Sequence, residues 1–432
     1  MTVDGWGRLL VALVAVVATA RLCGALARRL GQPPVIGEIL GGILLGPTLF
    51  GGVHTNLLFP AQIRPSLTIL ATIGVVLFMF FVGLEVDPGR LRGQGHLATS
   101  VSIAAVVLPF GLGALLATYL VARHPTAHRV EFVLFLGTAM AVTAFPVLAR
   151  ILTDKGLLHT PIGGLALASA AVGDVIAWAL LAVVVTLADG GADPWRMLLA
   201  VPYVLLMLRV VRPLLARSVG RLPTGWLAGA GALAVTSIGL LASAAATEWM
   251  GLHAIFGAFL FGVVVPARDD VVAYARLLPT IERACSFLLL PVFFVVAGIK
   301  VDLSALDGLA LGELSLILLV AIGGKAGGAF LGARLNGLRA RHSVVLAILL
   351  NARGLTELIV LTVGLELGVL DRELFSLMVV MALVTTAMTG VLLRWVYPEE
   401  RVRRDLAVRD EMARSGSDSG GPGGPRPIPL PD

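Results

Sequence analysis

Long apolar runs recur along the chain, separated by short polar or basic stretches. Thirteen runs are read as membrane-crossing helices: roughly 6–29, 34–51, 65–86, 97–121, 131–153, 161–187, 196–217, 225–247, 252–267, 283–303, 312–337, 342–367 and 373–397. A helix rises ~1.5 Å per residue, so runs near twenty residues cross a hydrocarbon layer of ~30 Å. The second and ninth runs are short for that task. Thirteen spans divide as six plus one plus six. An odd linker inverts the second half relative to the first, an architecture used by transporters. The expected fold is an all-α polytopic membrane protein.

Basic residues fix a topology for these spans. With the N-terminus outside, the inside loops hold Arg28 and Arg29, Arg90 and Arg92, Arg150 and Lys155, Arg212, Arg217 and Arg221, Arg268, Arg276 and Arg283, and Arg334, Arg339 and Arg341. Arg394, Arg401, Arg403 and Arg404 flank the last span on the same side. The outside loops keep only Arg64, Arg123, Arg129, Arg196, Lys300 and Arg372. Lys and Arg concentrate on the cytoplasmic side of membrane proteins. The sequence therefore predicts a multi-pass cell-membrane protein with a cytoplasmic C-terminus.

Composition agrees. Apolar residues make up 57% of the chain and charged ones 14%, which excludes a soluble domain of 432 residues. The formal charge of +6 then reflects loop topology and not nucleic-acid binding. Membrane lipid is the expected surrounding. Met-Thr-Val-Asp precedes the first run without a basic segment, so this run reads as a retained span. Cys23 and Cys285 fall in or beside separate runs and read as free thiols. Residues 1–400 read as one transmembrane domain. Residues 401–432 turn charged and end in SGSDSGGPGGPRPIPLPD, a disordered cytoplasmic tail by composition.

Two spans in corresponding positions of the halves carry breaks. The fifth contains Thr143-Ala144-Phe145-Pro146, and the twelfth Asn351-Ala352-Arg353-Gly354. Pro146 cannot donate a helical hydrogen bond, and Gly354 weakens a helix interior. Paired interruptions of this kind point to a substrate site. An ordinary proline kink is the plain alternative for Pro146. Carbonyls freed there, with the Thr143 hydroxyl, are hard oxygen ligands for a cation.

Asp174 is the one ionisable residue in the run from Pro161 to Leu187, about 20 Å along that helix. A carboxylate at this depth is costly and marks a functional site by default; a structural ion pair is the alternative. One carboxylate cannot hold a proton and a metal cation well at once. Competition between them gives an exchange rule: cation one way, proton the other. Lys325 sits mid-span among glycines and is read either as a counter-charge to Asp174 or as a screen for helix ends. Arg353 and Glu357 are four apart in the twelfth span and are expected to pair and hold the interrupted helix. Glu38, Glu85 and Arg150 lie near span ends and read as interfacial or gating contacts. His253 reads as a loop or packing residue, and the Trp and Phe residues as belt and lipid-facing groups.

These stretches together resemble the monovalent cation:proton antiporter-2 family. They are GEILGGILLGPTLFG (37–51), FMFFVGLEVD (78–87), AMAVTAFPVLARIL (139–152), ASAAVGDVIAWALLA (168–182), GLHAIFGAFLFGVVVP (251–266), LLLPVFFVVAGIKVDL (288–303) and LNARGLTELIVLTVGLELGVL (350–370). The resemblance implies a sodium/proton antiporter fold and a homodimer. Each protomer would have a dimerisation domain and a moving core, interleaved in sequence. It implies that the interrupted helices cross near mid-membrane, that Asp174 is the ion and proton carrier, and that Thr143 and nearby backbone supply ligands. Lys325 falls where the family places a basic core residue. The expected cargo is sodium or potassium against protons, by an elevator-type mechanism and without cofactor. The family usually has Asp, Asn or Gln before the aspartate, whereas this chain has Gly173. That departure favours electroneutral one-for-one exchange. A nucleotide-binding domain, usual in potassium efflux relatives, is missing from the sequence. The second reading is a channel-like potassium efflux protein. An intramembrane aspartyl protease is disfavoured because a second mid-span aspartate is lacking, and enzyme activity is not expected.

Overall fold

The computed structural model describes residues 3–48, 53–85, 95–124, 126, 129–157, 160–188, 199–219, 226–265, 272–304 and 307–397. The tail reading at 401–432 and the loop at 86–94 lie outside them. All regular structure among the described residues is helical. In order these are α1 (Val3–Arg29), α2 (Pro34–Leu45), α3 (Val53–Leu58), α4 (Arg64–Glu85), α5 (Gly95–Leu120), α6 (Arg129–Ala141), α7 (Phe145–Asp154) and α8 (Pro161–Ala188). There follow α9 (Ala200–Leu206), α10 (Arg212–Val219), α11 (Trp226–Trp249), α12 (Ala254–Val264), α13 (Val272–Ala284), α14 (Leu290–Ile299), α15 (Gly308–Leu335), α16 (Ala340–Leu350), α17 (Leu355–Glu366) and α18 (Arg372–Val396). Wider π-type turns at Met207–Val211 and Cys285–Leu289 join α9 to α10 and α13 to α14.

Each expected span coincides with one helix or one joined pair. Eight helical segments are long and apolar enough to cross a membrane. Pro34–Leu45, Ala254–Val264 and Ala340–Leu350 are apolar but shorter. The fifth and twelfth spans are the ones divided by non-helical backbone, into α6 with α7 and α16 with α17.

The chain separates into two units interleaved in sequence. Unit 1 comprises Met1–Cys23, Gly37–Asp87 and Ala182–Ser304. Its helices approach through glycine pairs. A Cβ on Gly83 of α4 would meet the Phe259 carbonyl of α12 at 2.2 Å, and one on Gly262 would meet Phe80 O at 2.2 Å. Gly42 of α2 and Gly298 of α14 are reciprocal in the same way. Small residues let helix backbones touch in lipid, where dispersion and not hydrophobic exclusion drives association. Arg21 also lies over the Phe287 ring at 3.6 Å and donates to the Phe287 carbonyl.

Unit 2 comprises Gly24–Ile36, Pro88–Leu181 and Ala305–Asp432. Here α15 lies along α5 through a glycine stripe at four-residue spacing. A Cβ on Gly324 would sit 2.9 Å from Pro109 Cα, on Gly328 2.4 Å from Ala104 O, and on Gly332 2.8 Å from Ala104 Cβ. Lys325 shares this buried face of α15. Gly328→Leu is expected to force α15 from α5 and cost about 1–3 kcal/mol by overpacking. Thermal melting in detergent measures it, and Gly323→Ala, with open space at its Cβ, is the neutral comparison.

The reading of Phe as lipid-facing needs correction. Phe132, Phe135 and Phe375 are fully buried in unit 2. The Phe135 ring occupies the space beside Gly364, where a Cβ would meet it at 2.2 Å. A side chain in a polytopic protein has two apolar destinations, lipid and core, and hydropathy does not separate them.

Candidate functional site

The two interruptions meet in unit 2. The Ala144 N–H donates to the Ala352 carbonyl at 3.2 Å, so the non-helical segments 142–144 and 352–354 run into each other. Pro146 occupies the first turn of α7, where its missing N–H costs no helical bond. It therefore starts a half-helix; it does not kink a continuous one. Gly354 allows the crossing to close, because a Cβ there would stand 2.6 Å from Val147 Cγ2. The Thr356 hydroxyl donates to the Thr143 carbonyl at 3.2 Å, binding one of the carbonyls that the break frees.

Each half-helix that ends at the crossing presents a pole of its dipole. The C-terminal pole of α6 is negative, with its last carbonyls unpaired within the helix. Two cations cover it. Lys325 Nζ donates to the Ala141 carbonyl. Arg353 donates to Ala139 O at 2.9 Å through one terminal nitrogen and to Met140 O at 2.7 Å through the other. Arg353 also pairs with Glu357 at 2.9 Å, and both side chains are fully buried. The pair forms even though Arg353 lies before α17 begins, outside regular helix, so it is not the shared helix face that the spacing suggested. The Arg353 backbone is held as well: its N–H donates to Thr386 Oγ at 3.1 Å, and that hydroxyl donates to the Arg353 carbonyl at 2.5 Å. Thr386 was not singled out by the sequence, since a threonine in an apolar span carries no distinguishing signal.

Asp174 lies on α8, 3% exposed. Lys325 and the Phe145 backbone N–H, at the positive pole of α7, act on it electrostatically. The Phe145 N–H is a hydrogen-bond donor directed at the carboxylate, and no side chain donates to either oxygen. Buried polar atoms are normally paired, so a buried acid that takes no side-chain donor calls for a reason. Lys325 does not supply it: its ammonium donates to the Ala141 carbonyl and makes no hydrogen bond to Asp174. Thr143 is likewise buried. The Ser102 hydroxyl stands 3.2 Å from where a Cβ of Gly173 would be, and it makes no hydrogen bond. Gly173 thus leaves room that a larger residue would contest.

Asp174, Thr143, Lys325, Arg353 and Glu357 all belong to unit 2. Other candidates fall elsewhere. Glu38 is buried in unit 1, and Arg150 is exposed on α7. The Glu85 side chain lies outside the described residues. His253 is the N-cap of α12, its ring accepting from Ile255 N at 3.4 Å.

A model of the sodium/hydrogen exchanger transmembrane family matches residues 15–397. The Na(+)/H(+) antiporter NhaS4 of Synechocystis sp. (strain ATCC 27184 / PCC 6803 / Kazusa) is 38% identical over 401 residues, covering 90% of this chain and 97% of that protein. Cation/H(+) antiporter 17 of Arabidopsis thaliana is 39% identical, with 90% of this chain and 48% of that protein aligned. K(+)/H(+) antiporter 1 of Saccharomyces cerevisiae (strain ATCC 204508 / S288c) is 35% identical, with shares of 90% and 47%. The chain thus spans about half the length of the plant and yeast proteins. Among solved structures, the sodium proton antiporter MjNhaP1 from Methanocaldococcus jannaschii at pH 8 superposes with a TM-score of 0.58 at 18% identity, covering 93% of this chain and 99% of that one. That likeness establishes the fold. The family match runs through both units and both interrupted spans, and the chain belongs to the sodium/hydrogen exchanger family of multi-pass transmembrane proteins.

Proposed function

We propose that this chain is a secondary active antiporter. It exchanges a monovalent cation, sodium or potassium, for protons across the cell membrane, with Asp174 holding the two in turn. The observation that carries this reading is the buried Asp174 carboxylate beside the crossing, to which no side chain donates a hydrogen bond. Membership of the family and relatives named as sodium and potassium antiporters support the same exchange. Alternating access of the elevator type is part of the proposal, as is a homodimer. Lys325 and Arg353 act in it by neutralising the end of α6, which keeps the break stable at membrane depth. Gly173 leaves Asp174 as the lone acid, so one proton replaces one cation and exchange is electroneutral.

Purified protein in liposomes, with an internal pH dye, tests this directly. Sodium, potassium and lithium are stepped in turn. Antiport requires proton flux that saturates with cation and vanishes when no cation gradient is imposed. Cation flux that continues without a proton gradient and does not saturate would favour a channel. A rate that responds to an imposed membrane potential would overturn one-for-one exchange.

Thr143 provides a graded check. Thr143→Val keeps shape and removes the hydroxyl. If that oxygen is a ligand, the cation concentration for half-maximal flux rises about tenfold, the equivalent of roughly 1.4 kcal/mol. Flux at high cation is retained. An unchanged half-maximal concentration would make Thr143 a packing residue.

A further inference from the structure

A second titratable cluster lies in unit 2, at the end of α5. His124 follows that helix and is 3% exposed. Its Nδ1 is 2.5 Å from Asp371 Oδ2 and its Nε2 is 3.2 Å from Glu313 Oε2. A neutral imidazole carries one N–H and one lone pair; only the imidazolium donates from both nitrogens. With carboxylates at both nitrogens, the neutral ring must turn a lone pair toward one of them. The geometry therefore selects the protonated ring.

We propose that His124 is a proton-binding site separate from Asp174, and that its proton ties the end of α5 to the N-termini of α15 and α18. Asp371 is the N-cap of α18, its Oδ1 accepting from Leu374 N at 2.8 Å while Oδ2 faces the imidazole. Glu313 lies in the second turn of α15. Arg123 joins the same groups from the outside, at 3.5 Å from Glu313, 3.6 Å from Glu373 and 3.9 Å from Asp307. Asp307 is in turn the N-cap of α15, accepting from Ala310 N at 2.7 Å. The charged groups acting on the ring are thus Glu313 from α15 and Asp371 at the start of α18, and Arg123 links them to Asp307 and Glu373. The neighbouring α6 contributes Arg129 and Glu131 in its first turn.

The sign of the pH effect follows from these contacts. Burial pushes the His124 imidazole down, but the hydrogen bonds and charges of Asp371 and Glu313 outweigh it and raise it above 6.5. A raised histidine contributes stability that is fully present below its unfolded value and is lost as pH rises through the folded one. Asp371 runs the other way. Burial raises its carboxyl, but the bonds from His124 and Leu374 N dominate and hold it below 3.8. Its contribution is lost only in strong acid. The tie is therefore intact through mild acid and released toward alkaline pH.

The helices it joins also carry the crossing residues. Lys325 is about 18 Å along α15 from Glu313, and α18 carries Thr386, which clamps the Arg353 backbone. Release of the tie frees the ends of both helices. Exchange is therefore expected to accelerate as His124 loses its proton, a control that is independent of the carrier.

Full-length protein in detergent is melted at steps from about pH 6 to about pH 9, spanning the histidine range. Wild type should lose roughly 2–4 °C across that range. H124Q should melt lower at about pH 6 and lack the slope. D371N keeps the N-cap but removes one carboxylate, and should move the slope to lower pH. Should H124Q fail to fold, D371N still decides: an unmoved slope overturns the proposal. D174N must keep the wild-type slope, which separates this site from the carrier; loss of the slope there would assign the proton to Asp174 instead. In liposomes, H124Q should flatten the alkaline rise in exchange rate. A melting slope identical to wild type in H124Q overturns the site, and a superimposable rate profile overturns its control of exchange.

Discussion

Asp174→Asn is expected to reduce cation-driven proton flux to that of protein-free liposomes while leaving the protein folded. The amide has nearly the same shape as the carboxylate, so the packing of α8 is preserved. It removes a charge from a site 3% exposed, and a charge at membrane depth costs on the order of 2.5–3.5 kcal/mol or more. The melting midpoint should therefore match or exceed wild type. The chemistry should not survive. Asparagine cannot release a proton, and its single neutral oxygen is a poor substitute for an anion when a cation sheds water. Melting and flux are measured on the same preparation. Folded Asp174→Asn protein with wild-type coupled exchange would remove Asp174 from the mechanism.

The parts of this fold legible in the sequence are those on which the membrane acts residue by residue. Every span must bring its own backbone bonds and enough apolar length, so the eight long apolar helices announced themselves. Both breaks were legible because proline, glycine and charge are conspicuous at mid-span. Asp174 and Lys325 stood out for the same reason. What was hidden lies between segments. Lys325 had two possible partners, and only the path of α6 shows that its ammonium meets Ala141 O, 184 positions away. Thr386 clamps Arg353 from 33 positions away with nothing in its surroundings to mark it. His124 carries no signal in the sequence because its loop is short and polar, and the acids that flank it come from two other helices.

Arg353→Ala is expected to give the largest loss of stability among single changes at the crossing, on the order of 3–5 kcal/mol. One guanidinium serves three acceptors: the Ala139 and Met140 carbonyls and the Glu357 carboxylate. Its removal orphans two carbonyls at the negative pole of α6 and leaves a fully buried carboxylate unpaired. Arg353→Lys should rescue little, because an ammonium cannot span three acceptors as a planar fork does. Glu357→Ala should cost less. The guanidinium then keeps both carbonyls, and it already leaves its Nε without a partner. The double alanine variant should melt above Arg353→Ala alone, since it also deletes the stranded carboxylate, yet below Glu357→Ala, since the α6 carbonyls stay bare. That order is specific to an arginine that caps a helix as well as pairing. A simple ion pair would bring the double variant above both singles. Midpoints that add, with no coupling between the two substitutions, would mean that Arg353 and Glu357 stabilise the crossing separately.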